Sequence, residues 1–153
     1  MTQITFLASS KPFTIPDEID AFNRKTVFEK EEDAVYLSIH SVDEYWREKI
    51  SGLFSMPYIY EAFGIESDLF LVYMEKYMEL GDVLEIYQVP NQHDLERCIQ
   101  SMKEHPEPVE INAARHTYQT VNGQHSLNPK KWIDELRHRN YLTPRGLTTV
   151  VKY

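Results

Sequence analysis

Histidine and tyrosine side chains on one predicted β-hairpin are the residues of this chain best suited to acid–base chemistry. The hairpin is predicted over residues 117–127 with Asn122-Gly123 as its turn, because Asn-Gly supplies the positive φ angles of a type I′ turn. An unperturbed histidine titrates near neutral pH and can act as a general base. The candidate ligand-binding or hydrolytic site on one face of this hairpin consists of His116, Tyr118 and His125.

Neither a metal site nor a cofactor site is predicted. In the expected register His125 lies opposite Thr120, four residues and about 13 Å along the strand from His116, too far apart for one ion. The five glycines are too widely spaced for a phosphate loop or a dinucleotide fingerprint. Cys98, the only cysteine, lies on the apolar stripe of a predicted helix and is interpreted as a buried structural thiol. We therefore assign no catalytic residue, no metal ligand and no cofactor.

Positive charge is concentrated in the last predicted helix. Asn128 and Pro129 predict its start, which places two lysines in its first turn. The helix dipole is positive there, so each lysine costs about 0.3–1 kcal/mol unless an anion lies nearby. That anion is either the acidic part of the same chain or an external acidic group. The candidate anion- or partner-binding residues are Lys130, Lys131, Arg137, His138, Arg139 and Arg145.

Charge is divided unevenly along the 153 residues. Residues 1–112 carry a net charge of −13, and residues 113–153 carry +5, which gives −8 for the chain. Such asymmetry bears on partners and encounter rates. An acidic chain repels phosphates, which argues against membrane surfaces and makes nucleic-acid binding through the basic segment only a third alternative.

The elements that would position these residues alternate between strands and helices. Strands are predicted at residues 4–8, 34–39, 57–61, 83–89 and 147–152, besides the hairpin. A helix is predicted from Ser41, where Glu44 completes a capping box, with Val42, Tyr45, Trp46 and Ile50 as its apolar stripe. Further helices are predicted over residues 67–80 and from Asn91 and Asn128. The absence of a strict βαβα rhythm favours an α+β fold: a single domain over residues 1–153 with a mixed or mainly antiparallel sheet and about four packed helices.

These observations predict a non-enzymatic protein–protein interaction module. The predicted protein is cytoplasmic, because no apolar run approaches a signal peptide or a membrane span. An antitoxin-like or immunity protein that blocks a basic toxin is one form of this function. Its acidic run Glu31-Glu32-Asp33 would steer the partner, and aromatic residues such as Tyr58, Tyr60 or Trp46 would anchor it. Homodimerisation through a sheet edge, for example the final strand, is a further expectation.

Overall fold

A computed structural model describes residues 3–25 and 37–153. Over these residues the chain forms one eight-stranded sheet with five α-helices. The strands are β1 (Ile4–Ser9), β2 (Ser38–Ser41), β3 (Tyr58–Phe63), β4 (Val83–Val89), β5 (Val109–Asn112), β6 (Thr117–Thr120), β7 (Gly123–Ser126) and β8 (Thr148–Val151). The helices are α1 (Asp17–Lys25), α2 (Glu44–Lys49), α3 (Asp68–Lys76), α4 (Leu95–Glu104) and α5 (Trp132–Arg137). This architecture agrees with the predicted α+β class and mixed sheet.

The strand order across the sheet is β2-β3-β1-β4-β8-β5-β6-β7. Neighbouring strands are antiparallel except β5 and β8, which run parallel. The last strand, β8, therefore lies in the interior of the sheet, hydrogen-bonded to β4 on one side and to β5 on the other. The prediction that this strand offers an edge to a second copy is wrong, because both of its edges are occupied. The edges of the described sheet are β2 and β7.

Helices pack on both faces of the sheet, because strand side chains alternate between the two faces. On the first face, α1, α3 and α5 cover a core to which β1, β4 and β8 also contribute. Its residues include Leu7, Ile19, Phe70, Met74, Ile86, Trp132, Leu136 and Val150. On the second face, α2 and α4 cover a smaller core that includes Phe6, Val42, Ile50, Tyr87, Leu95 and Ile99. Each fully buried side chain of this kind stabilises the fold by about 1.5–3 kcal/mol.

Two elements were not predicted. Helix α1 was expected to be irregular because Pro12 and Pro16 flank its start, yet the Pro16 carbonyl accepts the first helical hydrogen bond, from Asp20 N at 3.0 Å. Proline is tolerated at a helix start because the N–H group that it lacks would have no hydrogen-bond partner within the helix there. Strand β5 was not predicted because it is only four residues long and directly follows Pro106 and Pro108. Its register is set by its pairing with β8, which is distant in sequence.

The hairpin forms, but its register differs from the prediction. Thr120 pairs with Gly123, so Val121 and Asn122 are the loop residues, and Tyr118 lies opposite His125. Among described residues other than glycine only His116 has a positive φ, so Asn122 does not adopt the type I′ conformation. Gly123 carries the positive φ instead, at 126°. The expected pairing of His125 with Thr120 is therefore wrong by two positions.

No helix within residues 3–25 and 37–153 is long and apolar enough to cross a membrane. The acidic run Glu31-Glu32-Asp33 and the first half of the strand predicted over 34–39 lie outside the described residues.

Candidate functional site

The surface of α2 carries the most exposed ring among the described tyrosines, phenylalanines and tryptophans. Val42, Trp46 and Ile50 are spaced by four residues and face the second core, where Val42 and Ile50 are buried and Trp46 is half-buried. Tyr45 directly precedes Trp46 in the helix, so its side chain lies on a different side of the helix and points away from that stripe. Its exposed fraction is 63%. The helix begins after Asp43 as N-cap, and Ser41 belongs to β2, so the predicted capping box does not form.

Neighbouring groups hold the Tyr45 ring in place although it is exposed. The Trp46 ring meets it edge-to-face, with centroids 4.8 Å apart and planes at 74°. The Lys49 ammonium lies 4.8 Å from the Tyr45 ring centroid. Lys49 also donates a hydrogen bond to the Glu96 carboxylate of α4, and this bond raises the pKa of the lysine above its ordinary value. The exposed ring therefore has a contact on Trp46 and another on Lys49.

Two clefts flank this tyrosine, which lines both. An open cleft of about 720 Å³ is lined by Glu44, Tyr45, Arg47, Glu48 and Ser51. A second cleft of about 150 Å³, between α2 and the start of α4, is lined by Tyr45, Trp46, Lys49, Gln92, His93, Leu95 and Glu96. We call this region the α2 surface. It comprises residues 44–51, which belong to α2 and the turn after it, and residues 92–96.

Two carboxylates on the α2 surface form no ion pair with a described residue. Glu44 and Glu48 lie one helical turn apart, and neither forms an ion pair with any part of the chain that the structure describes. Like charges at this spacing disfavour the helix by a few tenths of a kcal/mol. The nearby Arg47 guanidinium donates instead to the Val42 carbonyl, at 3.4 Å. Glu44, Glu48 and Arg47 together leave an excess of one negative charge in the lining of the open cleft.

A buried carboxylate fixes the segment that follows α2. Glu85 of β4 is 6% exposed, and its Oε1 accepts hydrogen bonds from Ser55 N and Met56 N, both at 2.8 Å. These bonds tie the chain between α2 and β3 to the sheet. The α2 surface thus rests on a rigid support at its carboxyl end.

Replacing this carboxylate should loosen that support. We expect Glu85→Ala to lower the free energy of unfolding by about 1.5 kcal/mol, because two backbone N–H groups lose a charged acceptor. Glu110→Ala, on the same sheet face, is the matched control, since the Glu110 carboxylate accepts only a 3.4 Å bond from Tyr153. Urea denaturation of both variants measures the difference, and equal losses of stability would contradict the role given to Glu85.

The predicted aromatic anchors do not form one surface. Ile59 faces the second core, so strand alternation places Tyr58 and Tyr60 on the opposite face from Trp46. The Tyr60 hydroxyl accepts a hydrogen bond from Phe13 N at 3.1 Å, and its ring packs on the first core. Tyr58 is 42% exposed and lies on the sheet face opposite to α2. Tyr45, which the sequence pattern assigned to the apolar stripe, was not among the predicted anchors.

The predicted basic cluster is dispersed, and two of its six side chains form ion pairs with described residues. Arg137 contacts both Asp68 and Asp134 at 2.9 Å, and Arg145 contacts Glu107 at 3.4 Å. The Arg139 guanidinium lies 5.2 Å from the Tyr118 ring centroid. His138 follows the end of α5 and is exposed.

The argument for an anion at the start of the last helix is wrong. Helix α5 begins at Trp132, so Lys130 and Lys131 precede it, and its first turn carries Asp134 and Glu135. The Asn128 side chain instead accepts a hydrogen bond from Lys130 N in the preceding turn. Local charges here agree with the helix dipole, and no external anion is required.

The hairpin register places Tyr118 opposite His125, but the three predicted residues differ in burial and surroundings. Tyr118 is 6% exposed and lies in the first core, where burial raises the pKa of its hydroxyl. The His116 ring packs 5.4 Å from that of Trp132, and His125 is exposed. Of the three, only Tyr118 lines the adjacent cleft of about 160 Å³, below the 300 Å³ at which ligand pockets begin. The interface between hairpin and α5 is thus packed.

Within the described ranges, no group of three His, Cys, Asp or Glu side chains could hold a metal ion. Cys98 is half-buried on α4, and burial raises the pKa of its thiol. Comparison with protein-family models, with curated proteins and with solved structures finds no significant match to this chain. The candidate site therefore rests on geometry alone.

Proposed function

We propose that this protein is a non-enzymatic interaction module that binds a basic segment of another protein on the α2 surface. The observation that carries the proposal is Tyr45, a ring that is 63% exposed yet fixed by Trp46 and Lys49. Aromatic residues and arginine dominate the binding energy of protein interfaces. Solvent-exposed rings that are already ordered lose little side-chain entropy on binding.

Charge complementarity selects the partner's chemistry. Glu44 and Glu48 line the open cleft beside Tyr45 without a counterion among the described side chains. A lysine or arginine in this cleft would pair with both carboxylates and approach the tyrosine ring. The excess of acidic residues over the first 112 positions would speed the encounter with a basic protein. Inhibition of a basic toxin, as by an antitoxin or immunity protein, is one form of this function.

Parallel capture from lysate tests the proposal, with the wild type, Tyr45→Ala and Tyr58→Ala as baits. Tyr58 is the matched control because it is also an exposed tyrosine, on the other face of the sheet. We expect a basic protein that the wild type and Tyr58→Ala retain and that Tyr45→Ala loses. A partner retained equally by all three baits, or no partner sensitive to Tyr45, would overturn the proposal.

The two unpaired carboxylates should control the salt dependence of binding. Replacing both, as Glu44→Gln with Glu48→Gln, should lower affinity for the captured partner about 3- to 10-fold at low salt, mainly through slower association. The difference should shrink as salt rises, because exposed charges are screened. Glu75→Gln with Glu79→Gln, on and just after α3, is the control pair. Surface plasmon resonance at two salt concentrations measures the effect, and a salt-independent loss would argue against charge pairing here.

A further inference from the structure

The edge strand β7 is open along its whole length. All four of its residues are exposed, and within the described sheet it pairs only with β6. Natural edge strands are commonly protected by lysine, proline, inward-pointing charge or a bulge. Strand β7 reads Gly-Gln-His-Ser and has neither a proline nor a charged Lys, Arg, Asp or Glu. This edge is available for pairing with a further strand.

The register shows which backbone groups face outward. Leu127 N donates to the His116 carbonyl at 2.7 Å, so these two residues form a hydrogen-bonded pair. Because hydrogen-bonded and non-hydrogen-bonded pairs alternate along antiparallel strands, every second pair from there towards the turn is hydrogen-bonded. His125 is therefore hydrogen-bonded to Tyr118 of β6, and Gln124 and Ser126 direct their N–H and C=O groups away from the sheet. The free edge offers two donors and two acceptors, placed symmetrically about His125.

We propose that β7 pairs with β7 of a second copy, antiparallel and centred on His125, so that the sheet continues across a twofold axis. Gln124 of each copy then exchanges two hydrogen bonds with Ser126 of the other, four bonds in total. A twofold interface requires a surface that complements itself, and this edge has that symmetry. A pairing of four-residue strands falls below the roughly 1,200 Å² of standard complexes, so the dimer is weak and forms at high concentration. This inference does not depend on the α2 surface.

Cysteine crosslinking tests the register directly. In the proposed dimer the two His125 positions form a non-hydrogen-bonded pair with Cα atoms about 4.5 Å apart, within the range that a disulfide spans. Gln124 and its copy are offset by two residues and lie about 8–9 Å apart, beyond that range. In a Cys98→Ser background, copper–phenanthroline oxidation should give covalent dimers of His125→Cys at least ten times faster than of Gln124→Cys. Equal rates, or no dimer from either variant, would overturn the proposal.

Sedimentation velocity provides a second, crosslink-free test. Ser126→Pro removes one outward N–H per copy and leaves the ladder with β6 intact. We expect the wild type to populate dimers at several hundred micromolar, and Ser126→Pro to stay monomeric at that concentration with an unchanged circular dichroism spectrum. A wild type that remains monomeric there, or a proline variant that dimerises equally, would contradict pairing through β7.

Discussion

Tyr45→Ala should raise the dissociation constant for the proposed basic partner at least 30-fold. Truncation of a central aromatic anchor costs about 2 kcal/mol or more, and Tyr45 borders both clefts of the α2 surface. The loss combines the contact area of the ring with the contact between Lys49 and that ring. Stability should change little, because the side chain is 63% exposed. Isothermal titration calorimetry measures the affinity, and urea denaturation measures the stability.

Two further variants separate anchoring from a general loss of aromatic surface. Tyr45→Phe keeps the ring and should bind within about threefold of the wild type, because the proposed contacts use the ring and not the hydroxyl. Tyr58→Ala removes a tyrosine from the other face and should leave binding unchanged. If Tyr45→Ala bound as tightly as the wild type, the α2 surface would not be the binding site.

Gly146→Ala should destabilise the protein by about 3 kcal/mol. Glu107 N donates to the Arg145 carbonyl at 2.9 Å, and Val109 N to the Leu147 carbonyl at 3.1 Å, so two backbone segments lie against each other on either side of Gly146. A Cβ atom at this position would lie 2.5 Å from the Glu107 carbonyl oxygen. The clash is with backbone and cannot be relieved by rotating a side chain, so strands β5 and β8 must separate locally.

Gly81→Ala is the matched control for this prediction. Gly81 has a φ of +93° and nothing within 4 Å of an added Cβ, so its replacement costs only the conformational strain of about 1–2 kcal/mol. Chemical denaturation should therefore rank Gly146→Ala as the less stable of the two. The reverse order would show that the β5–β8 junction tolerates movement.

Sequence reasoning succeeded where local signals and burial agree. Strand β4 was predicted with its observed bounds, and the helix predicted over residues 67–80 forms as α3, although it ends at Lys76. It failed where partners distant in sequence decide the outcome. Strand β5 is defined by its pairing with β8, and the interior position of β8 depends on two strands that precede it by many residues.

The candidate site was harder to predict than the fold. Lys130 and Lys131 drew attention because the helix start was placed at Pro129, three residues too early. Tyr45 was assigned to the apolar stripe because it follows Val42 by three residues, a spacing that fits either the buried face or its margin. Only the exposure of the ring, with Lys49 beside it, separates these alternatives. A sequence pattern does not report that exposure.

Hydrogen–deuterium exchange of the wild-type protein with and without its captured partner tests most directly where that partner binds. We expect protection of backbone amides in residues 44–51 and 92–96, which form the α2 surface. Residues 128–139, which contain most of the basic residues singled out from the sequence, should exchange at the same rate in both samples. Protection confined to residues 128–145 or to the hairpin at 116–126, with none at α2, would contradict the proposed function.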